Sequence, residues 1–273
     1  MKKVFAWILC MILVVSLFAG CGMKKGDSDL AYVQEKGKLI VGITDYAPMD
    51  YKDENGQWTG FDAEFARLVA EELGVEVEFF LIADWSKKVF ELDSMNIDCI
   101  WNGMTINEEL LSICSVSDPY VVNAQVVVMK NDIVANYADT ASLADLTFAV
   151  ENGSAGQTAA QDIGVKNIVA VQDQAGALME VAAGTADACV IDITMAYAMT
   201  GEGTSYDDLG IGLTLTAEEY GIGFRKGSDV TAKVNEIMAK FMADGTLDAL
   251  AEKYELDTGA LCLIDAAAEA AAE

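Results

Sequence analysis

The sequence predicts two α/β lobes, and three observations predict them. Short apolar runs rich in β-branched residues alternate with amphipathic stretches of helical spacing from Leu39 onward. The same order restarts at Thr147, after a β-rich run and a turn. The chain has 273 residues and 53% hydrophobic content, enough for two cores of roughly 100 to 130 residues each. Strands that alternate with helices of about ten residues argue for parallel sheets joined by crossover helices.

In chain order, the first segment reads as an export signal. Lys2 and Lys3 precede an uncharged apolar stretch, residues 4–17, and Phe18-Ala19-Gly20 stand directly before Cys21. A basic start, an apolar middle and small residues before the cut are the parts of a secretory signal peptide. Cys21 behind that small pair resembles a bacterial lipobox, with Phe18 where leucine is usual. The resemblance implies cleavage after residue 20 and acylation of the Cys21 thiol. The uncharged run to Gly22 also nearly reaches the roughly 18 to 20 residues that an uncleaved membrane anchor needs. Both readings put the rest of the chain outside the cytoplasm at a membrane surface, with residues 21–34 as a tether.

Residues 39–43 then read as a strand. Phe61, Phe65, Leu68, Val69 and Leu73 recur at helical spacing, and Gly74 is a helix stop. Residues 75–81 follow as strand, 85–94 as helix, 99–103 as strand and 125–130 as a β-rich run. In the second half, 147–150, 168–171 and 188–192 read as strands, with helices at 155–162 and 175–183 between them. Asn96-Ile97-Asp98-Cys99-Ile100 parallels Thr185-Ala186-Asp187-Ala188-Cys189-Val190, each entering an apolar strand after a helix. Similar βα units explain that match as well as duplication does. Beyond Leu213 come β-type residues through 219–225 and helices at 229–243 and 247–255. Residues 265–273 are Ala/Glu low complexity.

Composition excludes several functions. The chain has no histidine, so Ser-His and Cys-His nucleophile pairs, an imidazole base and a His-containing zinc site are ruled out. With 17 Lys+Arg against 44 Asp+Glu, the formal charge is −27. Nucleic acid is therefore excluded as a partner, because phosphate binding needs clustered cations. No cofactor or metal is expected. Only Arg67 and Arg225 are arginines. Of the cysteines, Cys10 belongs to the signal. Cys99 and Cys189 sit in apolar strand-like runs, where buried thiols are expected rather than a bridge between them. Cys114 and Cys262 carry no assignment.

Several runs together resemble a known family, the extracellular solute-binding proteins of polar-amino-acid ABC transporters. They are Gly37-Lys38-Leu39-Ile40-Val41-Gly42-Ile43, Asp45-Tyr46-Ala47-Pro48-Met49-Asp50-Tyr51 with Gly60-Phe61-Asp62, and Asp98-Cys99-Ile100-Trp101-Asn102-Gly103-Met104-Thr105. Ser117-Asp118-Pro119-Tyr120, Gly153-Ser154-Ala155-Gly156, Ala186-Asp187-Ala188-Cys189-Val190-Ile191-Asp192 and Glu219-Tyr220-Gly221-Ile222-Gly223 follow in the family's order. The resemblance covers about residues 35 to 258. It implies a two-lobed periplasmic-binding-protein-like fold of type II with two hinge crossings. Lobe one would hold residues 35–123 plus 218–258, lobe two 124–217, and a tail 259–273. The hinges would lie near 123–126 and 217–221. A small-molecule ligand would be trapped between the lobes and handed to a permease, with the chain held to the membrane through its lipid anchor.

Carried over residue by residue, the resemblance implies Tyr46 and Trp85 as aromatic walls. Gly103 and Thr105 would meet the ligand's ammonium with a carbonyl and a hydroxyl, and Asp192 would pair with the same ammonium. Ser154 and Ala155 would present backbone amides to a carboxylate. The alternatives for Asp192 and the two rings are an N-cap and ordinary core. One position departs from the family. An arginine that grips the α-carboxylate falls at Leu110 here, and a leucine cannot supply a bidentate clamp. Glu151 adds a negative charge near the cleft entrance. Two ligand classes follow: an amine without a gripped α-carboxylate, or an amino acid whose carboxylate is held by Ser154, Thr105, backbone amides and a lysine such as Lys87 or Lys88. A ligand-sensing protein would use the same domain. A dehydratase-like enzyme on this fold is the catalytic alternative, and the empty arginine position argues against it.

Overall fold

The computed structural model of the chain describes residues 28–256. The expected signal, the lipidated Cys21, Cys262 and the Ala/Glu-rich tail lie outside the described residues. Part of the expected tether is helical. In α1 (Asp29–Lys36) the Ser28 hydroxyl accepts from the Ala31 amide at 3.0 Å, and Gly37 closes the helix. Asp29 is clamped by Arg225, with Nη2 to Oδ1 at 2.9 Å and Nε to Oδ2 at 3.0 Å. The two residues are 196 positions apart in sequence, so local pattern does not reveal the pair.

The first lobe continues with β1 (Lys38–Ile43), the hairpin β2 (Tyr51–Lys52) and β3 (Trp58–Thr59), α2 (Phe61–Leu73) and β4 (Glu76–Leu81). A 3₁₀ turn, Trp85–Lys87, runs into α3 (Lys88–Asp93), followed by β5 (Cys99–Ile100), α4 (Glu108–Ile113) and β6 (Cys114–Val116). The chain then builds β7 (Val121–Lys130), β8 (Thr147–Glu151), α5 (Ala155–Asp162), β9 (Asn167–Val171), α6 (Gln174–Ala183), β10 (Ala188–Asp192), α7 (Ile193–Met199) and β11 (Leu209–Tyr220). It returns through β12 (Gly223–Arg225), α8 (Val230–Ala243) and α9 (Thr246–Lys253).

Two five-stranded sheets result, ordered β4-β1-β5-β12-β6 and β11-β7-β10-β8-β9. Strands β4, β1 and β5 run parallel, as do β10, β8 and β9. Both sheets are mixed rather than wholly parallel, because β12 enters the first sheet antiparallel and β7 pairs antiparallel with β10 and β11. The chain passes between the sheets twice, from β6 to β7 and from β11 to β12. The two passages lie side by side, with Val121 opposite Tyr220 and Asn123 opposite Glu218. Paired crossings of this kind let the lobes rotate about one axis while each keeps its own core.

The expected strand at 99–103 is shorter than its apolar pattern. After Ile100 the backbone leaves the sheet and reaches a left-handed turn at Gly103, φ +55°. That departure sends residues 101–107 over the sheet's carboxyl end, where open α/β sheets bind ligands. Cys99, Cys114 and Cys189 are buried free thiols, with Cys99 and Cys189 in different sheets. Among the described residues no helix is long and apolar enough to cross a membrane.

Candidate functional site

A cavity of about 380 Å³ lies between the lobes. Trp85, Lys88, Gly103, Thr105 and Leu110 line it from one side, and Glu151, Ser154, Ala155, Gln174 and Asp192 from the other. The structure therefore brings six of the seven expected ligand-binding residues to one space. Tyr46 is the exception, since it is not among the lining residues. Its ring packs behind Gly103, where an added Cβ would come within 2.5 Å of Tyr46 Cε1. Its hydroxyl bonds to Thr194 and Tyr220. Tyr46 supports the floor from behind, and Trp85 supplies the aromatic face.

The lobes touch across the cavity mouth. Asn152 Nδ2 donates to Asp84 Oδ1 at 3.1 Å, and Lys88 Nζ donates to the Gly153 carbonyl at 3.1 Å. Gly153, at φ +75°, lies so near Ser86 that a Cβ would stand 2.7 Å from its Cα. Only a glycine allows both that backbone conformation and that approach. The cleft is thus in a closed arrangement.

Gly103 is held from below by Asp62, at the start of α2. The fully buried Asp62 carboxyl accepts from the Gly103 amide at 2.7 Å and from the Tyr120 hydroxyl at 2.8 Å. Burial pushes Asp62 up to about 7, against the pull of those donors.

Asp192 ends β10 at the N-cap position of α7, yet its side chain makes no cap bond. It accepts instead from three amides: Asn123, Gln174, and Gln125 Nε2 at 2.7 Å. Its own backbone amide donates to Gln174 Oε1 at 2.8 Å. Glu218, on the opposed crossing strand, accepts from the same Asn123 and Gln125 at 2.6 and 2.7 Å and from the Thr105 hydroxyl at 2.9 Å. Because Thr105 spends its proton on Glu218, the hydroxyl has lone pairs to offer a donor. Asp192 is pushed up to about 8, first by burial and then by the Glu218 charge, against the pull of the Gln174 amide. No cation of the described chain lies within 4 Å of it.

Ser154 caps α5, its hydroxyl accepting from the Gln157 amide at 3.1 Å. Its own amide closes a turn on the Glu151 carbonyl at 3.2 Å. That leaves the Ala155 and Gly156 amides without partners at this helix start, and Ala155 is the one that lines the cavity. Facing it across the cavity, Leu110 belongs to an apolar cluster with Trp85, Met104 and Cys114. Lys88, whose Nζ sits 4.9 Å from the Trp85 ring centre, is the one cationic side chain of the lining. Burial lowers its pKa, and the charges of Glu151 and Glu109 partly oppose that. The arginines are engaged elsewhere. Arg225 binds Asp29, Asp98 and the Ile97 carbonyl, while Arg67 reaches the Trp58 carbonyl and stacks over Phe79.

Sequence reasoning missed the polar frame of Asn123, Gln125, Gln174 and Glu218. A signal was present for Gln125, a lone amide within Ala124-Gln125-Val126-Val127-Val128. Among the described residues no group of side chains has the makings of a metal site.

A lobe pair that closes on a small polar cavity through two crossing strands defines a solute-capturing protein of the type II periplasmic-binding class. The chain belongs to the bacterial extracellular solute-binding proteins, family 3, whose model matches residues 39–257. It is 28% identical over 249 residues to the L-cystine-binding protein TcyJ of Escherichia coli (strain K12), covering 89% of this chain and 92% of that one. It is 30% identical over 268 residues to the arginine-binding extracellular protein ArtP of Bacillus subtilis (strain 168), covering 93% and 98%. Among solved structures, the ancestral amino acid-binding protein AncCDT-1, a precursor of cyclohexadienyl dehydratase, superposes with a TM-score of 0.77 at 33% identity, covering 83% and 99%.

Proposed function

We propose that this chain captures an α-amino acid between its lobes and delivers it to an ABC permease, as a binding protein rather than an enzyme. One observation carries this reading: a single closed cavity holds a buried carboxylate with no protein cation, Asp192, together with an open helix-start amide at Ala155 and the lysine Lys88. In the proposed complex the ligand's ammonium pairs with Asp192 and meets the Thr105 oxygen and the Gly103 carbonyl. Its carboxylate takes the Ala155 amide and Lys88, which replaces the arginine missing at Leu110. Trp85 covers the side chain. The relatives named for cystine and arginine support an amino acid as the ligand class.

Residues 35–123 plus 218–258 form one lobe and 124–217 the other in this reading, and closure distinguishes loaded from empty protein for the transporter. The chain is held to the outer face of the cell membrane through lipid on Cys21 after residues 1–20 are removed. The apolar Leu110 favours a second reading, a decarboxylated amine delivered to a transporter or a sensor. A thermal-shift screen of amino acids beside their decarboxylated amines separates the two. Stabilisation by the carboxylate-bearing compounds is expected, and stabilisation by the amines alone would overturn the amino-acid reading. Quantitative recovery of the bound compound unchanged is expected, where an enzyme would return product.

A further inference from the structure

The cavity holds a carboxylate that this reading of the α-ammonium and α-carboxylate leaves unused. Glu151 ends β8, is 3% exposed and lines the cavity. Its Oε1 has no hydrogen-bond partner among the described residues. Asp62 and Asp98, of comparable burial, are held by donors, Asp62 by Gly103 and Tyr120 and Asp98 by Lys36 and Arg225. Asp50 also lacks donors, but it is sealed in the first lobe and does not line the cavity, so of the two only Glu151 is open to a ligand there. Lys88 does not serve Glu151, because its ammonium is turned to the carbonyls of Gly153 and Trp85 and no ion pair within 4 Å joins the two. Leaving a buried carboxylate oxygen unpaired is costly unless an arriving group satisfies it.

We infer that Glu151 is a specificity-determining residue that takes a second cationic group, so that the ligand is an amino acid with a basic side chain. The inference rests on the amino-acid reading and adds to it a side-chain charge. With Asp192 taking the α-ammonium and Lys88 the α-carboxylate, a side-chain cation matches Glu151, the remaining buried charge of the lining, whereas Glu109 is exposed to water. Trp85, opposite, adds a ring face that suits an alkyl stem or a flat guanidinium.

Calorimetry on the full chain in detergent tests it with L-lysine, L-norleucine, L-arginine and L-citrulline, paired compounds that differ in side-chain charge at similar shape. The wild type is expected to bind lysine and arginine at least about 30-fold tighter than norleucine and citrulline. Glu151→Gln, which keeps the shape, is expected to erase most of that preference while changing norleucine and citrulline affinities by less than about threefold. Circular dichroism confirms that the variant is folded, and Glu151→Asp serves as a second variant that keeps the charge and part of the preference. Equal losses for charged and neutral ligands in Glu151→Gln would overturn the inference. So would tighter binding of the neutral compounds to the wild type, which would leave the amino-acid reading standing. Binding of none of the four, with binding of decarboxylated amines, would overturn both.

Discussion

Two groups of buried carboxylates sit in this molecule under opposite conditions. At the base of the first lobe, Asp98 and Asp29 are nearly sealed from water and are matched by cations. Lys36 lies 2.5 Å and Arg225 3.2 Å from Asp98, and Arg225 forks onto Asp29. In the cleft, Asp192 and Glu151 are equally sealed, but neither has a cation within 4 Å, and Asp192 meets only amides and another carboxylate, Glu218. The first group ties helix α1 to the return strand β12. The second stays poised because burial raises both cleft groups, with the Glu218 charge adding to it at Asp192 and the Asp192 charge at Glu151. Both arginines act outside the cleft and Lys88 is turned to the Gly153 and Trp85 carbonyls, so in the proposed complex the charge that compensates Asp192 arrives with the ligand.

The largest effect should come from removing the cleft's ammonium partner. Asp192→Ala is expected to weaken amino-acid binding by at least about 100-fold in calorimetry, because the ligand's cation would be buried without the carboxylate that pairs with it in the proposed complex. Affinity unchanged within a few fold would break the contrast. Next in size, Arg225→Ala leaves Asp29 without a cation and Asp98 with Lys36 alone. It is expected to lower unfolding free energy by about 3–5 kcal/mol in urea titrations, with ligand affinity little changed where the protein is folded.

A smaller effect follows from pH. The folded-state values of Asp192, about 8, and Asp62, about 7, stand above those of an unfolded carboxyl. Their contribution to apo stability is therefore fully present below the unfolded value and is lost as pH rises through 7 to 8. Binding runs the other way, since an ammonium needs Asp192 ionised. Affinity should climb toward pH 8, by at most about tenfold per pH unit, with proton release visible as buffer-dependent heats. A flat profile would count against an uncompensated Asp192. Smallest of all, Glu151→Gln is expected to raise the apo melting temperature at pH 8 by about 2–4 °C, opposite in sign to Arg225→Ala.

The same contrast explains what could be read from the sequence. Helix α5 and strand β10 keep the bounds their patterns gave, because α5 buries one helical face and β10 is a short apolar run buried at every position. The positions of Asp192, Ser154 and Thr105 were legible because family motifs fix their place at strand and helix ends. Helix α1 was not legible, since its docking depends on a partner near the other end of the chain. Tyr46 was assigned to the right neighbourhood and the wrong side of Gly103, a distinction set by a left-handed turn rather than by residue type. Gln174 and Asn123 stayed hidden because polar residues inside or beside elements usually face water, and only the assembled sheet turns both of them onto Asp192. The empty arginine position at Leu110 was visible at once, and the cation on the same side of the cavity, Lys88, could be proposed but not placed without the fold.

The central claim is that Asp192 waits for a cation that the ligand brings. Its most direct test is calorimetry comparing the tightest-binding amino acid with its α-hydroxy acid analogue, which keeps the size, side chain and carboxylate but replaces the ammonium with a neutral hydroxyl. The account predicts a loss of affinity of about 100-fold or more for the hydroxy acid. Affinities within about threefold of each other would contradict it.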